Sequence, residues 1–190
     1  NTYRKELTDI RKRQKTNPKY WYSCHRSRDM RVFENDRIIT PEISLGCNMT
    51  IGKKGTYHNT KVYSLLPKSD RQENLLYWLG ILNSKLMWFF LKNTGYVLRG
   101  GYFTFKTEYL KPLPIRTINF NNPSEKAIHD KLVSLVDRML ELHKKKSFFP
   151  PSAEREKIER EIAITDEKID EIVYGLYGIT DEDKKIIEEK

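Results

Sequence analysis

Only two cysteines, Cys24 and Cys47, occur in 190 residues, too few for a disulfide framework and not in metal-ligand spacing. Reduced thiols in a cytoplasm are the expectation. The four histidines, His25, His58, His129 and His143, are scattered, and His129 and His143 fall outside the apolar periodicity of their segment, where solvated rings are expected. No glycine-rich phosphate loop, nucleophilic Cys or Ser signature, or Glu-x-Lys between acidic partners is present, so no active site can be drawn. One apolar run is long: Leu75 to Leu91 carries a single charge, Lys85. A membrane helix needs about 20 apolar residues, and Asn83-Ser84-Lys85 in its middle would be unsatisfied in lipid. There is no signal peptide, lipidation motif or basic amphipathic helix either, so no membrane partner is expected. The chain opens on Asn1, not Met, as a piece of a longer protein would.

What the chain does have is positive charge, unevenly placed. Up to Pro123 there are 22 Lys and Arg against 9 Asp and Glu, a net of +13; from Ser124 onward there are 13 against 17, a net of −4. The first part therefore favours a polyanion as partner. The change marks an expected boundary, with an N-terminal helix and linker at 1–19, a body at 20–123 and a helical segment at 124–190.

The body reads as short strands around one buried helix. Segments 21–26, 32–34, 37–44, 48–51 and 61–66 are rich in β-branched and aromatic residues, with polar turns at Glu34-Asn35-Asp36 and Gly52-Lys53-Lys54-Gly55. Leu75 to Gly95 is then the central helix, apolar around almost its whole circumference and stopped by Gly95. The polar break at Asn83-Ser84-Lys85 is consistent with a face turned to a gap in the packing. After Pro123 two stripes follow at heptad spacing: Ile128, Leu132, Leu135, Met139 and Leu142, then Ile158, Ile162, Thr165, Ile169, Ile172 and Leu176. Joined by Phe148-Phe149-Pro150-Pro151, they predict an antiparallel helical hairpin. Ser124 is the expected N-cap of the first helix, Gly178 closes the second, and Thr180 opens a short last helix. The fold class is thus mixed α+β: an α/β body with short strands packed on a buried central helix, followed by an antiparallel α-helical hairpin.

Three stretches carry a resemblance. Leu79-Gly80-Ile81-Leu82-Asn83-Ser84-Lys85-Leu86, Tyr109-Leu110-Lys111-Pro112-Leu113-Pro114-Ile115 after Gly100-Gly101, and Ile169 to Thr180 together resemble the C-terminal target-recognition domain of TaqI-like DNA adenine methyltransferases and type IIG restriction–modification enzymes. The resemblance implies a double-stranded DNA partner, and an upstream methyltransferase domain that holds S-adenosylmethionine and the catalytic Asn-Pro-Pro-Tyr loop. No cofactor is expected in this chain itself. Asn17-Pro18-Lys19-Tyr20 is similar to that catalytic loop but lacks the second proline, and is expected to be a linker turn.

Under the resemblance, the loop from Gly52 to Asn59 is the expected DNA contact. Lys53 and Lys54 would meet phosphates, while Thr56, Tyr57, His58 and Asn59 would reach base edges. On residue types alone Gly-Lys-Lys-Gly is an ordinary solvated turn. Arg99 and Lys106, flanking Gly100-Gly101, join Arg26, Arg28 and Arg31 as further expected phosphate contacts. The hairpin would serve as a spacer, a docking face for the upstream domain, or a site of self-association. The alternative is a protein–protein adaptor that works through the hairpin, with the basic charge incidental.

Overall fold

A computed structural model describes residues 3–14, 20 and 29–189. The segments expected as a strand at 21–26 and a turn at 17–19, with Cys24, His25, Arg26 and Arg28, lie outside the described residues. Helix α1 (Arg4–Arg13) carries Arg11, Lys12 and Arg13 in its last turn, where cations suit the helix dipole. Val32–Glu34, expected as a strand, is instead part of a turn. Met30–Val32 forms one 3-10 turn because the Asp29 carboxylate accepts the Arg31 N–H at 3.0 Å.

The expected strand 37–44 divides at Glu42 into β1 (Arg37–Pro41) and β2 (Ile43–Ser44). β1 is the middle of an antiparallel sheet, between β3 (Thr50–Gly52) and β4 (Val62–Leu65), with Ile38 opposite Ile51 on one side and Leu65 on the other. β2 enters a second sheet and pairs with β5 (Phe103–Thr104), a strand too short for alternation to reveal. Glu42 makes the handover. Its N–H donates to the Lys61 carbonyl and its own carbonyl accepts from the Phe105 N–H, both at 2.8 Å.

The central helix is two helices, α2 (Leu75–Asn83) and α3 (Lys85–Thr94). Ser84 separates them with extended backbone, ψ 156°, and its hydroxyl caps α3 by accepting from the Met87 N–H at 3.3 Å while donating to the Ile81 carbonyl at 2.7 Å. The polar triplet therefore has bonding partners, and Asn83 also lines a cavity with Met49 and Gly80, as the expected gap would require. The Asn83 amide closes a two-way clamp on the Met49 backbone, accepting from its N–H at 2.9 Å and donating to its carbonyl at 3.0 Å. The backbone N–H of Lys85 donates to Asp170 at 2.9 Å, and its ammonium pairs with Glu188 at 3.1 Å.

After the short α4 (Thr107–Leu110), α5 (Pro123–Phe148) and α6 (Ala153–Tyr177) form the hairpin, and α7 (Asp181–Glu188) ends the fold. α5 begins before the expected Ser124 cap: Asn122 accepts the Ser124 N–H, and Pro123 takes the first helical position, where its missing donor costs nothing. Ser152 and left-handed Gly178 bound α6, and Thr180 with Asp183 forms a capping box on α7.

The hairpin is packed on the body through α2 and α3. Tyr77, Leu79, Ile81 and Leu82 of α2, Leu132 and Val136 of α5, and Ile169, Val173 and Leu176 of α6 belong to one apolar core that also holds Ile38 and Met49. The drop in charge at Pro123 is thus not a break in the packing. Gly80 makes the approach of α5 to α2 possible, because a Cβ there would stand 2.8 Å from Val136 Cγ2 and 3.1 Å from Leu132 Cδ1. Since α5 packs on both α2 and α6, its buried face is wider than a heptad seam: Val136 is buried while Ile128 of the expected stripe is exposed. The same geometry corrects the expectation for His129, which is buried. Its ring lies 5.0 Å from that of Tyr77 and 5.1 Å from that of Phe120, its Nε2 accepts the Asn74 N–H at 3.1 Å, and its Nδ1 faces the Asp130 carboxylate at 2.9 Å. His143 is exposed. Among the described residues no helix is long and apolar enough to cross a membrane.

Asp170 is the costly part of this arrangement. It is 3% exposed, one of its oxygens has no hydrogen-bond donor, and burial pushes its carboxyl up to about 6. A folded value above the usual carboxylate range means that protonation favours the fold, so this contribution is present near pH 4 and lost as pH rises through 6. Asp170→Asn is expected to gain stability relative to the parent chain between pH 4.5 and 7, read from urea midpoints. Gly80→Val should cost at least about 2 kcal/mol in the same assay, because the inserted branches meet stiff, buried neighbours.

Candidate nucleic-acid interface

β3 and β4 each run antiparallel to β1 and hence parallel to one another, so residues 53–61 must cross the sheet from one edge to the other. The crossover is held from inside by Arg37, the first residue of the middle strand, which is 1% exposed. Its Nη1 donates to the carbonyls of Asn35 and Lys53 at 3.3 Å each, its Nη2 to the carbonyl of Thr56 at 2.6 Å, and its Nε to Ser64 Oγ at 3.1 Å. The guanidinium also lies over the Phe33 ring, 5.0 Å from its centroid. Among the described residues no carboxylate forms an ion pair with it.

The turn at the head of the crossover is fixed by its backbone. Gly55 takes φ 79° and donates its N–H to the Phe33 carbonyl at 2.8 Å, and the Lys54 N–H donates to Asp36 at 2.8 Å. That N–H and, after it, the Lys53 ammonium at 3.1 Å hold the Asp36 carboxyl below the usual range. Thr56 and His58 are engaged within the loop: Thr56 Oγ1 donates to the Lys53 carbonyl, and the His58 ring bridges the Asn59 carbonyl at 2.9 Å and Ser64 Oγ at 2.7 Å. Tyr57 is 66% exposed, with one face 5.0 Å from Phe33. Asn59 Oδ1 accepts the Lys61 N–H at 2.9 Å, which turns the chain into β4.

The second basic segment is a hairpin from Tyr96 to Thr104. Its ends are joined by Thr104 N–H to Tyr96 O at 3.2 Å and Leu98 N–H to Tyr102 O at 2.6 Å, and Gly100 and Gly101 form the tip with φ of 85° and 77°. Arg99 at the tip and Lys106 just beyond are exposed, and neither forms an ion pair among the described residues. The two segments are some forty residues apart in sequence, yet both end on the backbone of Glu42, which joins Lys61 to Phe105. The Glu42 carboxylate also pairs with the Lys61 ammonium at 2.9 Å and raises its pKa.

The expected cations thus divide into two groups. Lys54, Arg99 and Lys106 present ammonium or guanidinium groups to solvent. Arg31 is instead chelated by Asp29, at 3.0 and 2.7 Å, and Lys53 is paired with Asp36. Arg26 and Arg28 lie outside the described residues. Arg37, Ser64, Phe33 and Lys61 were not singled out from sequence. Arg37 reads there as a strand residue, because its partners are carbonyls that no residue type reveals.

The family described as the TaqI-like C-terminal specificity domain matches residues 2–115. The chain is 30% identical over 178 residues to the type II restriction enzyme and methyltransferase RM.Eco57I of Escherichia coli, covering 90% of this chain and 18% of that protein. It is also 30% identical over 109 residues to the type II methyltransferases M.HincII and M.HindII of Haemophilus influenzae, covering 52% of this chain and 22% and 21% of theirs. The chain spans less than a quarter of the length of each of these relatives.

Gly55 offers a direct probe of the turn. A Cβ there would meet nothing within 4 Å, so substitution costs only backbone strain. Gly55→Ala should lower stability by about 1 kcal/mol and Gly55→Asn by less, since Asn tolerates the left-handed region, with urea denaturation as the measure.

Proposed function

We propose that this chain, which belongs to the TaqI-like C-terminal specificity domain family, reads a specific double-stranded DNA sequence on behalf of a restriction–modification methyltransferase. The observation that carries the proposal is the loop 53–61, whose main chain is held from beneath by Arg37 and Asp36 while the Lys54 and Tyr57 side chains stay exposed, and whose end at Lys61 is joined through Glu42 to Phe105, next to the exposed Lys106. Phosphate contacts position a protein on a duplex and base contacts specify the site. In this division Lys54, Arg99 and Lys106 hold phosphates, joined by Lys53 and Arg31 once the duplex competes for their carboxylate partners, and by Arg26 and Arg28. Tyr57 and Asn59 reach base edges from the crossover, with Thr56 and His58 shaping it.

The chemistry would belong to an upstream domain. That domain would bind S-adenosylmethionine and take an adenine out of the stack for N6 methylation, while this chain keeps the duplex in register. No residue of this chain is assigned a catalytic role. The α5–α6 hairpin would brace the reading surface through α2 and give the upstream domain a face to dock on. The adaptor alternative draws less support, since Leu132 and Val136 of α5 and Ile169, Val173 and Leu176 of α6 are spent in the core.

The proposal is tested by fluorescence-anisotropy titration with a random-sequence duplex pool at two salt concentrations. Binding should weaken steeply with salt. Lys54→Glu and Arg99→Glu should each weaken binding to all sequences alike and reduce the slope of log K against log salt by about 0.9 per lost phosphate contact. Charge reversals without effect, alongside loss of function on Ile164→Asp at an exposed position of α6, would favour the adaptor.

A further inference from the structure

The main chain at the head of the crossover is held by residues beneath it. Arg37 holds the carbonyls of Lys53 and Thr56, Asp36 holds the Lys54 N–H, and the Phe33 carbonyl holds the Gly55 N–H. Each of these contacts ends on loop backbone. The Lys54 and Tyr57 side chains take no part in the hydrogen bonding, so the shape of the loop is set from below and its display from above.

Among the described residues the Arg37 guanidinium has only neutral acceptors, which is costly, because desolvation of the cation is repaid by carbonyls and a hydroxyl instead of a carboxylate. An apolar residue would fill the same space on β1 at less cost. What a planar fork adds is the ability to hold carbonyls from two separate stretches, 35 and 53–56, in one plane while bonding Ser64 on β4. A lysine in its place would keep the charge but has no fixed fork with which to hold them together.

We infer that Arg37 is a positioning residue for base reading: it fixes the backbone of residues 53–56, so that Lys54 and Tyr57 are presented in one geometry, and it thereby governs discrimination between sequences more than the strength of the grip on DNA. Ser64 is its partner in this, since its Oγ serves both Arg37 and His58. The inference rests on the DNA-reading function proposed above.

The test uses the full-length protein with Arg37→Lys and Ser64→Ala. Duplexes retained from a random pool are sequenced, and affinity is measured for the selected and the random duplex over a range of salt, with melting temperature recorded for each variant. Arg37→Lys keeps the charge, so affinity for random duplex should stay within about threefold and the salt slope should not change. Its ratio of selected to random affinity should fall about tenfold or more, the loss expected when a base contact is displaced. Ser64→Ala, which removes one hydroxyl and leaves the apolar core intact, should lower the ratio by about threefold, and it decides the matter if Arg37→Lys fails to fold. Folded variants that select the parent sequence with an undiminished ratio overturn the role of Arg37 while leaving the DNA-reading function standing. A parent protein that retains no duplex even at low salt removes that function, and this inference with it.

Discussion

The fold depends on three consecutive side chains in the middle of its most apolar stretch. Asn83 clamps the backbone entering β3, Ser84 ends one helix and caps the next, and Lys85 is held by Asp170 of α6 and Glu188 of α7. Strand, central helices, hairpin and last helix therefore all meet within three residues. The hydrophobic effect packs α2 against α5 but does not choose a register, since apolar contact is non-directional. Directional bonds at a helix break choose it, and each partner lies 34 or more residues away in sequence. Asp170 is placed at the first turn of α3, where one of its oxygens accepts the otherwise unsatisfied Lys85 N–H.

The crossover loop 53–61 follows the opposite rule. Its main chain is ordered from beneath by the buried Arg37 together with Asp36 and the Phe33 carbonyl. The ion pairs around it, Arg31 with Asp29, Lys53 with Asp36 and Lys61 with Glu42, involve largely exposed cations and contribute little to stability. They set where the charges sit in the absence of a partner, and a polyanion can compete for them. Arg37 is different: among the described residues it forms no ion pair with a carboxylate, and it is buried.

How much of this was legible in the sequence depended on how local the cause was. The end of α6 at Tyr177 could be read, because Gly178 signals it within one turn of helix. The mixed α+β class and the hairpin followed from apolar spacing. The break at Ser84 could not be read, since serine in a run of strong helix formers is only a weak signal and its reason lies at Met49 and Asp170. His129 misled for the same reason: a heptad count assumes one packing partner, and α5 has two. β5 is two residues long, and its pairing with β2 is set by Glu42, which carries no strand signal of its own. At the candidate site, the lysines and Arg99 were expected as DNA contacts from the resemblance, since Gly-Lys-Lys-Gly alone reads as an ordinary turn, while Arg37 was not singled out because carbonyl acceptors leave no mark on residue type.

The crossover also bears on how such a surface can change over generations. Because Phe33, Asp36 and Arg37 hold its main chain and Ser64 braces Arg37, exchange of an outward residue such as Lys54 takes away little that folding depends on. Drift at that position is close to neutral for stability, and a lineage can wander through many surfaces without first acquiring compensating mutations. The four supporting residues have no such freedom. Selection on them acts through the fold itself, so a family built this way should look frozen beneath the loop and restless on top of it.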